Sequence, residues 1–68
     1  MKNRVKELRD KRGLTQKELG ERVGVSRQAI NAIETGKFDP SIWLAYDFAR
    51  FFSISIEELL VFNEEDRK

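Results

Sequence analysis

Leu14 to Glu34, LTQKELGERVGVSRQAINAIE, is the stretch whose spacing decides the fold. Thr15 and Glu18 stand three apart before an apolar residue. That is the spacing of a capping box, in which each side chain satisfies a free backbone N–H at a helix start. Leu19 and Val23 come next, one helical turn apart, on one face. Gly24 then offers a left-handed backbone conformation that ends a helix with little strain. Ser26 is a good N-cap for a second helix. In that helix Ala29, Ile30 and Ile33 share one side. Gln28, Asn31 and Ala32 share the opposite side, with Arg27 at its edge. The first face suits a core. The second is polar but lightly charged, and its amide and guanidinium groups match the donor and acceptor pattern of base edges in a major groove.

Two helices in this arrangement form a helix-turn-helix. The residues around it extend the pattern: Leu8 and Arg9, Gly13 to Gln16, Glu18 and Leu19, Val23 to Gln28, Ile30, Ile33 and Glu34, Gly36 and Lys37, Pro40 and Ser41, and Ala45. On these residues, from 8 to 45, the chain resembles a Cro/phage-repressor-type (Xre-type) DNA-binding domain. The resemblance implies an all-α fold. It is a compact five-helix bundle of the lambda-repressor-like kind, with the helix-turn-helix as helices 2 and 3. Residues 1–62 would form the domain, including a C-terminal dimerisation segment, and residues 63–68 a charged flexible tail.

Composition sets the bounds. Sixty-eight residues allow one domain and one small core. A chain this short buries only about 60% of its unfolded surface, so a partner chain would add needed burial. There is no cysteine and no histidine. A disulfide, a thiolate metal site and the commonest general base are thereby excluded, and no metal or cofactor is expected. An enzyme would need carboxylates or lysines in a cleft, whereas the acids here are scattered over helix surfaces and the tail. No apolar run approaches the roughly 18 residues of a membrane span. Residues Met1 to Arg4 lack the apolar core of a signal peptide. The expected location is the cytoplasm, in association with the nucleoid.

The net charge of +1 hides an asymmetry. Residues 1–37 carry ten Lys/Arg and five Asp/Glu, whereas residues 38–68 carry three and seven. Positive charge thus accumulates in the half that holds the helix-turn-helix, where a phosphate backbone would lie.

In chain order, Asn3 is the expected N-cap of a first helix that ends near Arg12, with Val5 and Leu8 facing inward and Gly13 as its stop. Lys11 and Arg12 are candidates for solvent or phosphate. Glu34 lies where the core and polar faces of the second helix of the motif meet, so it needs a partner if covered. The resemblance supplies one: Arg9, in an ion pair that clamps helix 1 to helix 3. Gln16 sits in the first turn of helix 2, a positive helix end suited to phosphate. By resemblance it also braces the recognition helix on DNA. Gly20 occupies a position where the family takes Ala or Gly, so that helices 2 and 3 cross closely. Arg27, Gln28 and Asn31 are the main candidates for base contact, with Ala32 offering a methyl to thymine. Arg27 suits a phosphate equally well. Thr35 and Lys37, with the Gly36 turn between them, suit phosphate contacts in the family's manner.

Phe38 to Ser41 is a loop, since Pro40 disfavours helix at Asp39, and Ser41 caps the next helix. Helix 4, from about Ile42 to Phe52, is apolar nearly all round. Ile42, Ala45, Phe48, Ala49 and Phe52 fit a core face. Trp43, Leu44, Tyr46 and Phe51 are left wanting cover. Ser55 and Glu58 form a second capping box, opening a short helix 5 through about Leu60, with Ile56 and Leu59 toward the core. Val61 and Phe62 suit a short extended segment beside the N-terminus. The expected homodimer interface comprises Trp43, Leu44, Phe51, Leu60, Val61 and Phe62.

The function these features imply is sequence-specific binding of double-stranded DNA by a small transcriptional regulator, a homodimeric repressor of an inverted-repeat operator. No ligand-sensing domain is expected within a chain of this length, and no small-molecule ligand. The helix 4 aromatics sustain an alternative: a protein-interaction module, antitoxin-like or a co-regulator, with DNA binding secondary.

Overall fold

Four of the five α-helices among the described residues begin where a serine or threonine side chain offers an acceptor to a free N–H. The computed structural model describes residues 1–67. Its helices are α1 (Val5–Lys11), α2 (Gln16–Val23), α3 (Arg27–Glu34), α4 (Ile42–Phe52) and α5 (Ile56–Leu59). Thr15 and Ser55 form full capping boxes with Glu18 and Glu58. Ser26 and Ser41 accept from Ala29 N–H and Leu44 N–H, both at 3.1 Å. These caps satisfy donors that the first turn of a helix cannot pair internally.

The start of α1 differs from the expectation. Its flanking residue is Arg4, whose side chain makes no cap. Asn3 still serves the helix, because its Oδ1 accepts from Val5 N–H at 3.0 Å. Its backbone, however, is strand. β1 (Lys2–Asn3) pairs antiparallel with β2 (Leu60–Val61), Lys2 opposite Val61 and Asn3 opposite Leu60. The extended segment beside the N-terminus is therefore residues 60–61, and α5 ends at Leu59. Glu64–Arg67 is a turn of 3-10 helix within the stretch expected to be a flexible tail. Asn63 Oδ1 accepts from Glu65 N–H at 3.0 Å there, and Arg67 lies 2.8 Å from Glu64. Lys68, the last residue of that tail, lies outside the described residues.

The five helices enclose one core of Val5, Leu19, Ile30, Ile33, Ala45, Phe48, Phe52 and Leu59. Every helix contributes at least one of these side chains. Burying each large one stabilises the fold by about 1.5–3 kcal/mol. No buried side-chain polar atom among the described residues lacks a hydrogen-bond partner.

Helix α4 is where the expected side-chain placement needs correction. Ile42, expected in the core, is 70% exposed. The core stripe of α4 starts one turn later, at Ala45, and the chain does not reach back to cover its first residue. Leu44, Phe51 and Leu60, expected at an interface, pack partly against the core of their own chain. Less of each is left for a partner than their spacing implied. Phe51 also stacks edge-on against Phe52, centroids 5.2 Å apart. Trp43, by contrast, is 73% exposed and Phe62 65%. Phe38, Tyr46 and Val61 are exposed as well.

Candidate nucleic-acid interface

The turn between α2 and α3 is set by close backbone approach. Gly24 takes φ +80°, a left-handed conformation, and the N–H groups of Gly24 and Val25 both donate to Gly20 O, at 2.8 and 2.9 Å. A Cβ on Gly20 would fall 2.5 Å from Val25 O. With glycine there the turn folds back this tightly onto α2, and a Cβ would require the Val25 carbonyl to shift. α3 is thereby held across α2 with Ile30 and Ile33 buried beneath it.

That seating leaves Arg27, Gln28 and Asn31 exposed on the outer face, with Ala32 half-buried at its margin. Gln16, from the first turn of α2, lines one shallow depression together with Arg27, Gln28 and Asn31. The structure thus brings together four of the residues singled out for DNA contact. Among the described residues, no ion pair or hydrogen bond ties the side chains of Arg27, Gln28 or Asn31 to a neighbour, so their polar groups face outward unspent.

The face is anchored from behind. Arg9 Nε donates to Glu34 Oε2 at 2.7 Å and Arg9 Nη2 to Glu34 Oε1 at 3.1 Å. Arg9 Nη1 also donates to Leu14 O at 2.7 Å. The two side chains are 11% and 2% exposed. The hydrogen bond to Glu34 raises the pKa of Arg9 above its ordinary value, against the opposing effect of burial. Gln16 Nε2 donates to Glu34 Oε1 at 3.0 Å. The same carboxylate therefore holds α1, the start of α2 and the end of α3. It also fixes the Gln16 amide with one N–H inward and its oxygen and second N–H available.

The phosphate candidates are less uniform. Lys37 is exposed beyond the end of α3. Lys11 is exposed, its Nζ 3.5 Å from Glu7. Thr35 donates its hydroxyl back to Asn31 O at 2.9 Å, so it must rotate before it can donate to a phosphate. Arg12 is turned onto aromatic rings: its guanidinium lies 5.0 Å from the Phe51 centroid and 5.4 Å from that of Phe52. Covering those rings is a packing role that sequence spacing does not indicate.

Asn3 is legible in the sequence only as a helix cap. Its Nδ2 also donates to Ile33 O at 3.0 Å, near the end of α3. The partner is 30 residues away, so no local pattern signals the bond.

No helix among the described residues is long and apolar enough to cross a membrane. No cluster of three or more His, Cys, Asp or Glu suited to a metal ion occurs among them.

Comparison with known proteins agrees with this geometry. The helix-turn-helix family profile matches residues 5–59. An uncharacterized HTH-type transcriptional regulator of Archaeoglobus fulgidus is 48% identical over 97% of this chain and 93% of its own length. One from Methanocaldococcus jannaschii is 46% identical over 97% of this chain and its whole length. YgzD of Bacillus subtilis, also described as an uncharacterized HTH-type transcriptional regulator, is 47% identical with the same coverage. With a tight glycine turn, an outward polar face and relatives matched almost end to end, the chain belongs to the Xre-type family of helix-turn-helix transcriptional regulators.

Proposed function

We propose that the protein is a homodimeric repressor that reads an inverted-repeat operator through the major groove. The observation that carries this reading is the outer face of α3. Arg27, Gln28 and Asn31 stand exposed there beside Gln16, on a helix clamped by Arg9 and Glu34. Gln28 and Asn31 pair with base edges, as their amides can bond adenine twice. Ala32 meets a thymine methyl. Arg27 reads a guanine or grips a phosphate. Gln16, Lys11 and Lys37 contact phosphate, joined by Thr35 once its hydroxyl rotates. Arg12 covers the rings of Phe51 and Phe52 and remains a candidate for phosphate with the N–H groups it leaves exposed.

One such helix covers half a site, and a two-fold dimer places two of them roughly 34 Å apart, one turn of DNA. The exposed Trp43, Val61 and Phe62 supply the subunit contact, with Phe38, Ile42 and Tyr46 extending it. Bare aromatic surface of this kind marks an interaction site. The protein acts in the cytoplasm, on chromosomal DNA. Repression results where such a dimer occupies a promoter and keeps a polymerase from it.

The same exposed aromatics favour a second reading, a module that docks on another protein and binds DNA secondarily. Selection of bound duplexes from random DNA separates the two. Enriched sites with two inverted half-sites one turn apart support the repressor. A chain that enriches no sequence, and stays monomeric with Trp43 and Phe62 bare, supports the docking module.

A further inference from the structure

Asn3 joins three parts of the molecule. Its backbone lies in β1 opposite Leu60, and the next residue, Arg4, donates its N–H to Leu59 O at 2.9 Å. Its Oδ1 accepts from Val5 N–H at the start of α1, and its Nδ2 donates to Ile33 O, both at 3.0 Å. The Ile33 carbonyl belongs to the last turn of α3, where carbonyls have no partner further along the helix. It is held from two directions, because Gly36 N–H also donates to it at 3.1 Å. Immediately beyond lie Thr35, Gly36 and Lys37. The strand pair runs alongside: Lys2, Asn3, Thr35, Gly36 and Val61 line one depression.

We propose that Asn3 is a positioning residue for DNA recognition. Its side chain fixes the C-terminal end of α3 against the strand pair that contains Val61 and leads into Phe62. The relation between subunit contact and recognition helix is thereby rigid, and the dimer reads two half-sites at one spacing only. α3 has eight residues and is too short to hold its own direction without tertiary support. A tilt at its end is passed directly to the distance between two recognition helices. This inference rests on the homodimer reading above.

Two substitutions separate the tie to α3 from the cap on α1. In Asn3→Asp a carboxylate oxygen still accepts from Val5 N–H, but the second oxygen faces Ile33 O with no proton between them. In Asn3→Ser the hydroxyl can still cap α1 but is too short to reach Ile33. The probes are the duplex that the parent chain selects from random DNA, the same duplex with one or two base pairs added or removed between half-sites, and a single half-site. Sedimentation gives the dimerisation constant, and the thermal transition shows that each variant is folded. Both variants are expected to bind the selected duplex about fivefold more weakly, because a dimer with loosened α3 ends has a lower effective concentration at its second half-site. Their half-site affinity and dimerisation should match the parent, and they should discriminate less among spacings. An equal loss on every duplex, or a spacing preference as sharp as the parent's, would overturn the role of Asn3 alone. A parent chain that is monomeric in solution and on its selected duplex would overturn the homodimer reading, and this proposal with it. If Asn3→Asp does not fold, Asn3→Ser decides by the same outcomes.

Discussion

Arg9 and Glu34 stand 25 residues apart in sequence and meet with Nε 2.7 Å from Oε2, both side chains almost out of water. The pair makes the orientation of α3 a property of α1. Its hydrogen bonds satisfy both carboxylate oxygens, which a buried charge requires.

Removing one partner strands the other. Arg9→Met or Glu34→Ala is expected to destabilise the fold by about 3–5 kcal/mol in denaturant unfolding, much of the margin of a small domain. Replacing both with apolar side chains should recover part of that loss. Single variants within about 0.5 kcal/mol of the parent, the usual range for surface changes, would show that the clamp is dispensable.

The two capping boxes make stability sensitive to acid. Hydrogen bonds from Thr15 lower the pKa of Glu18, and those from Ser55 lower that of Glu58. A carboxylate whose folded pKa is depressed contributes stability above its unfolded value, about 4.3 for glutamate, and loses it as pH falls through the folded value. Glu18→Gln with Glu58→Gln keeps the hydrogen bonds and removes the titration. This double variant should show a flatter fall in thermal midpoint below about pH 5 than the parent. Parallel curves for the two proteins would exclude the caps as the source.

Trp43 packs edge-on against Tyr46, centroids 5.9 Å apart, and both present their rings to solvent in the single chain. If a second copy covers them, Trp43→Ala or Phe62→Ala will shift a sedimenting dimer toward monomer, and binding to a two-half-site duplex will fall with it. A dimer unaffected by either change would place the interface elsewhere.

Lys37 is exposed just past α3, where a phosphate contact carries no sequence information. Lys37→Ala should weaken binding to all duplexes alike and reduce the slope of log affinity against log salt by about one. An unchanged slope would remove Lys37 from the contacts.

The helix boundaries are legible in the sequence because they depend on near neighbours. Thr15 with Glu18, Gly24, Ser26, and Ser55 with Glu58 act within four residues, and spacing reveals them. The Arg9–Glu34 pair comes from the family resemblance, supported by the position of Glu34 on its helix. What spacing misses is long-range or marginal. The β1–β2 register and the bond from Asn3 to Ile33 join distant segments. Ile42 continues the core period of α4 into a turn that nothing covers. Arg12 has the spacing of a phosphate ligand, yet two aromatic rings lie beneath it. At the candidate site, face and turn are readable, whereas the commitment of the Thr35 hydroxyl to Asn31 O depends on atomic positions.

The central claim is that the outer face of α3 recognises bases, and Gln28 tests it most directly. The measurement compares Gln28→Ala with the parent on the selected duplex and on duplexes changed at each base pair in turn. Discrimination should relax at one base step by about 1–3 kcal/mol and stay intact at the others. An identical loss of affinity on every sequence, with the base preferences unchanged, would contradict it.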